Sequence, residues 1–207
     1  MNTKLIYVHD PMCSWCWGFA DTYQQLVEQL PDEVEVKRLL GGLAPDTDQP
    51  MPESMQQMLQ QTWQRIEQTV PGTRFNFDFW TQCEPRRATY PACRAVIAAR
   101  EQGEQYDTMM TGAIQQAYYQ QAKNPSDNKT LIELADGLGL DKNRFEQVLV
   151  ARETQQQLLD EIATAREMGM DSFPSLLLDH HGRLEPVLVN YTDADAMIKQ
   201  IESSLQI

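Results

Sequence analysis

Several things are missing from this chain, and each absence removes a class of function. No apolar run approaches the ~18 residues that a membrane span needs, so no spanning helix is expected. Basic residues are scarce: 17 Lys and Arg stand against 30 Asp and Glu, a net charge of −13 over 207 residues. Such a surface repels phosphate backbones, which argues against nucleic acid as a partner. The charge is spread along the chain and suits a solvated surface better than an acidic tail. Internal repeats and low-complexity tracts are absent. The opening residues MNTKLIYVHDP show no signal-peptide pattern, so a cytoplasmic setting is expected. Cysteine is also scarce, with only Cys13, Cys16, Cys83 and Cys93. In a reducing compartment a permanent disulfide framework is not expected, and such cysteines are catalytic, metal-binding or buried.

What is present is enough for a sizeable core, with 42% hydrophobic residues. KLIYVH (4–9) reads as a buried strand. Asp10-Pro11 breaks it. From Ser14 to Leu30 an amphipathic helix is expected, with Trp17, Ala20, Tyr23, Val27 and Leu30 on its apolar side. EVEVKRLL (33–40) is a second strand, so the first forty residues form a βαβ unit with parallel strands. Gly41-Gly42 closes it. Helices are then predicted over 53–70, 89–103, 104–122, 128–138, 141–150 and 152–168. Thr89 is the expected N-cap of the second of these, and Met55, Met58, Met109 and Met110 are expected to pack within helices. Strands return at 175–179 and 184–191, and a last helix follows, capped by Asp193. The economical assembly is a four-stranded α/β sheet of thioredoxin-like outline, from βαβ and ββα halves. It divides the chain into a discontinuous domain (1–45 and 170–207) and a helical insertion (46–169).

The stretch DPMCSWCWGF carries the chemistry. A CxxC that opens a helix directly after a strand points to redox work. Cys13 would stand at the helix N-terminus, exposed, where unpaired N–H groups and the macrodipole favour a thiolate. Cys16, one turn on, would be better shielded and able to attack a mixed disulfide. Only Ser14 and Trp15 lie between them, so thiolate stabilisation weaker than in the strongest oxidants is expected. A zinc clamp needs a second ligand pair, and Cys83 and Cys93 lack that spacing, so no metal is expected. Cys93 reads as core, while Cys83 has no clear place. His9 either tunes Cys13 or is a structural strand-end residue. Trp15 either contacts apolar substrates or simply packs. The second signal is Phe173-Pro174, immediately before the strand SLLL. In a thioredoxin-like fold a cis-proline there faces the cysteines and offers backbone polar groups to a substrate.

DPMCSWCWGF, RLLGGLAPDTD, PACRAVIAAR and ATAREMGMDSFPSLLL together resemble the DsbA-like thioredoxin family, and within it the cytoplasmic FrnE-type protein-disulfide isomerases. The resemblance spans nearly the whole chain. It implies thiol–disulfide oxidoreductase or isomerase activity on protein or small-molecule disulfides, with Cys13 attacking, Cys16 resolving and Pro174 as the cis-proline. Phe173, Trp15 and Ser14 would join Pro174 in substrate binding. The Ser-Trp dipeptide departs from the Pro-His of periplasmic oxidants. No metal or organic cofactor is implied, and glutathione is the candidate redox partner. Two other readings remain open. One is a glutathione-dependent isomerase or kappa-type transferase, whose glutathione carboxylates would meet Arg86, Arg87, Arg94 and Arg100. The other is a non-catalytic binding module on the same fold. The sequence fixes no oligomeric state.

Overall fold

A computed structural model describes residues 3–205. Strand β1 (Thr3–His9), helix α1 (Ser14–Glu28) and strand β2 (Val34–Leu40) form the first unit, with β1 and β2 parallel. Seven helices follow: α2 (Glu53–Thr69), α3 (Phe79–Gln82), α4 (Tyr90–Arg100), α5 (Gln105–Tyr119), α6 (Asn128–Gly137), α7 (Lys142–Leu149) and α8 (Arg152–Glu167). Strands β3 (Ser175–His180) and β4 (Arg183–Val187) form an antiparallel hairpin, and α9 (Ala194–Leu205) closes the described chain. The sheet order is β2-β1-β3-β4, with β3 antiparallel to β1.

Strand periodicity decides what each face of the sheet buries. Leu5 and Tyr7 of β1 join Leu176 and Leu178 of β3 beneath α1 and α9, packed with Phe19, Leu26, Met197 and Ile201. Ile6 and Val8 point the other way and pack with Leu39, Leu177, Ala165 and Met170, on the side of α8. A third apolar cluster fills the helical part around Trp63, Ile114 and Phe145, and it also takes in Met12 and Leu40. The cysteine turn therefore rests on helical packing as well as on the sheet.

A chain of ion pairs ties β2 to the helices. Arg38 Nε lies 2.5 Å from Asp107 Oδ1, and Arg100 bridges Asp107 at 2.6 Å to Glu161 at 2.7 Å. The second Glu161 oxygen accepts the Leu40 N–H at 2.7 Å. The two cations are matched by two carboxylates, as burial demands.

The expected elements form, with four differences. On α1 the buried positions are Cys16, Gly18, Phe19, Thr22 and Leu26, while Trp17, Ala20 and Tyr23 are half-buried and Val27 is exposed. Apolar residues nearly encircle this helix, and its contacts choose the inner face. A Cβ on Gly18 would stand 2.9 Å from Ile66, and the Thr22 hydroxyl donates to the Tyr191 carbonyl at 2.7 Å. The single turn α3 falls where no helix is expected, because one turn is too short to show a period. Strand β4 stops at Val187, short of the expected Tyr191, and Leu188 is exposed. Pro186, which cannot donate to a ladder, sits on this edge strand. Met110 is fully buried and Met55 half-buried, but Met58 and Met109 are exposed and pack little. Asp193 does cap α9, its carboxylate accepting the Ala196 N–H at 3.0 Å.

Candidate active site

The turn between β1 and α1 is shaped by Asp10. Its side chain is completely buried. One oxygen accepts the Met12 N–H at 2.8 Å; the other accepts the Leu43 N–H at 2.7 Å and the Thr89 hydroxyl at 2.6 Å. The Cys93 thiol points at this second oxygen from 3.5 Å. One carboxylate thus joins the cysteine turn, the segment after β2 and the start of α4. Burial pushes the Asp10 carboxyl up, and these hydrogen bonds oppose that rise. Thr89, expected as an N-cap, makes no capping hydrogen bond, because its hydroxyl is committed to Asp10.

Cys13 occupies the N-cap position of α1 with extended backbone, and its carbonyl accepts the Trp17 N–H at 3.1 Å. Its thiol donates to the Phe173 carbonyl at 3.5 Å. Both cysteines of the pair are free thiols. The expectation of an exposed Cys13 is corrected: it is 7% exposed against 1% for Cys16. Phe173, Leu43 and Trp15 wall it in, so the sulfur lies in a groove of about 200 Å3 that also includes Met12, Ser14 and Met51. Cys16 lies directly behind. Burial first, and then contact with the Cys13 thiol, push its own thiol well above the ordinary range, and the charge of Asp10 adds to this.

The Phe173-Pro174 peptide is cis. Phe173 supplies the contact with Cys13, whereas buried Pro174 lines a neighbouring apolar cavity of about 240 Å3 beside β4. Gly41 makes room for the Phe173 ring: a Cβ there would stand 1.9 Å from a ring carbon. Ser14 is buried and accepts the Trp63 indole N–H at 3.2 Å, so it anchors the turn to α2. Trp15 is half-buried, with its ring 5.0 Å from that of Tyr191 and the Arg65 guanidinium 5.8 Å from its centre.

His9 is drawn away from the pair. Its Nε2 accepts from Arg38 at 3.1 Å, and burial together with Arg38 and Arg100 holds its pKa well below the ordinary value. It is therefore a neutral structural ring, stacked on Tyr7 at 4.9 Å. Three of the four arginines grouped by sequence are taken up by carboxylates of the protein itself. Arg86 pairs with Asp127, Arg94 with Asp46, and Arg100 with Asp107 and Glu161. Arg87 lines the Cys13 groove and makes no ion pair among the described residues. Cys93 is fully buried, as expected, and half-buried Cys83 donates to the Ala122 carbonyl at 3.0 Å.

With a dithiol at a helix start, beside the residue that precedes a proline-initiated strand, the comparisons are decisive for family. The family model described as Thioredoxin matches residues 6–198. The chain belongs to this thioredoxin family. Among solved structures it is similar to a protein from Nitrosomonas europaea assigned as a protein disulfide isomerase, with 27% identity, a TM-score of 0.85 and coverage of 100% of this chain and 98% of that one. It is also similar to the cytosolic disulfide reductase DsbM from Pseudomonas aeruginosa, with 22% identity, a TM-score of 0.78 and 98% of each chain covered. That reductase has also been solved with GSH. Among curated proteins it is 23% identical over 172 residues to the ClpXP adapter protein SpxH of Halalkalibacterium halodurans, covering 81% of this chain and 56% of that protein. The chain thus spans about half the length of the curated relatives it matches. No helix among the described residues is long and apolar enough to cross a membrane.

Proposed function

We propose that Cys13 and Cys16 exchange a dithiol for a disulfide with a substrate. The Cys13 thiolate attacks one sulfur of a substrate disulfide, forming a mixed disulfide and expelling the first substrate thiolate. Cys16, deprotonated, then attacks the Cys13 sulfur. The intramolecular disulfide forms, the second substrate thiol leaves, and two electrons have passed to the substrate. Two external thiols reverse the steps in turn: the first opens the disulfide as a mixed disulfide, the second removes the first as its own disulfide, and the dithiol is restored. The observation that carries this reading is the placement of Cys13 at the α1 N-terminus in an open groove, with Cys16 in contact behind it.

Glutathione suits the regenerating role, because Arg87 gives the groove a cation free to meet a carboxylate, and the resemblance to a reductase solved with GSH supports it. The name of that reductase also supports a cytosolic setting. A kappa-type transferase would carry serine where Cys13 stands, and both cysteines are present here. The adapter relatives supply the competing reading, a fold that binds without turnover. Reduction of a peptide disulfide by the protein with glutathione separates the two. Turnover by the wild type that is lost in Cys13→Ala supports exchange; equal rates in both proteins support a binding module.

A further inference from the structure

A second cavity lies behind the cysteine pair, distinct from the groove that holds Cys13. Its volume is about 660 Å3. That falls within the ~300–1,000 Å3 of small-molecule sites. The buried Tyr7 and Cys16 line its inner part, and the exposed Gln24 and Val27 line its mouth. The remaining wall comes from β2 and α5.

Three independent features suit this space to a ligand. The first is the outer side of α1, where half-buried Ala20 and Tyr23 and exposed Val27 border the cavity. The second is Gln115 of α5, which lines the cavity and is only 6% exposed. Its side-chain amide makes no hydrogen bond among the described residues, and its polar atoms keep some solvent contact. A ligand group can therefore pair with it without breaking a hydrogen bond inside the protein. The third is Gly112, one turn from Gln115 on the same wall. A Cβ there would find nothing within 4 Å, so open space reaches the helix backbone.

Charge narrows the ligand. Arg38 lines the cavity, but its charge is met by Asp107, and the cluster of Arg38, Arg100, Asp107 and Glu161 balances two cations with two anions. Glu28 also lines it, but is exposed and accepts from the Gln24 amide at 2.8 Å, so the inner wall asks for no ionised group. Tyr23, stacked on Tyr7 at 4.1 Å, offers an aromatic surface, and Gln115 offers a hydrogen bond. We propose that this cavity binds an uncharged, flat aromatic molecule of about two rings carrying a carbonyl group, a size that its volume admits.

Prodan, an uncharged naphthalene ketone whose emission moves to the blue on leaving water, is a suitable probe. The wild type should give a saturable blue shift. Gly112→Phe, whose ring would occupy the open space, should weaken binding by about tenfold or more. Gln115→Leu should weaken it by about fivefold, the worth of one hydrogen bond. In the wild type, the Gln115 side-chain amide resonances should move with added prodan, while Met51, Thr62 and Arg87 of the Cys13 groove stay fixed. Absence of a saturable shift overturns the proposal. So does unchanged binding in folded Gly112→Phe, or resonance movement confined to the Cys13 groove. Should Gly112→Phe fail to fold, the wild-type resonance map decides. None of these readouts depends on turnover, so the site stands or falls separately from the exchange reaction.

Discussion

At the scale of single residues, the proposed exchange gives the two cysteines different work, and burial bears on the second step. Cys16 is buried behind Cys13, and burial is the largest cause of its raised pKa. Only the thiolate attacks, so below that pKa the resolving rate should climb about tenfold per pH unit. Release of the second thiol from a preformed mixed disulfide at Cys13, followed by stopped flow, should rise through neutral pH without levelling. A plateau already below about pH 8, near an ordinary thiol's pKa, would show that Cys16 is not suppressed. The place of the cysteines was legible in the sequence, because the strand and turn before them put the pair at a helix start. Asp10 was not. In sequence it is half of an Asp-Pro turn, and its importance comes from Leu43, Thr89 and Cys93, which only the fold brings to it. The exposure of Cys13 was misjudged for the same reason, since Phe173 and Leu43 arrive from distant segments.

At the scale of elements, the end of β2 and the start of β3 meet through Gly41 and Phe173. The ring occupies the space that a Cβ at position 41 would need. Gly41→Ala should force the ring aside and cost about 1–3 kcal/mol, as overpacking does. It should also raise KM for a disulfide substrate, because Phe173 walls the groove and its carbonyl meets Cys13. Adding Phe173→Ala should cost less than the sum of the two single changes, since the pair is in contact. Strict additivity in urea denaturation would show that the two residues do not share this space. Helices and strands were readable from their periods and glycine stops. The inner face of α1 was not, because apolar residues run round it and tertiary contacts chose the side holding Gly18 and Thr22. The stripe left over, at Ala20, Tyr23 and Val27, is the one that borders the second cavity.

At the scale of the whole molecule, Asp107 joins the sheet to the helices by serving Arg38 and Arg100 together. Asp107→Asn leaves Arg38 without its carboxylate in a largely buried setting, and should cost about 3–5 kcal/mol in chemical denaturation. A loss under about 1 kcal/mol would mean that these pairs behave as solvated surface pairs. This network could not be read from the sequence, since its members lie on β2, α4, α5 and α8. On the proposed reaction, the assembled molecule offers Cys13 to the substrate disulfide and keeps Cys16 behind it. The most direct test is to expose reduced Cys16→Ala and Cys13→Ala proteins to oxidised glutathione, quench with acid and weigh the intact chains. Cys16→Ala should carry a glutathionyl group, mapped by proteolysis to Cys13, and hold it. An adduct at Cys16 in the Cys13→Ala protein, with none in Cys16→Ala, would contradict the account.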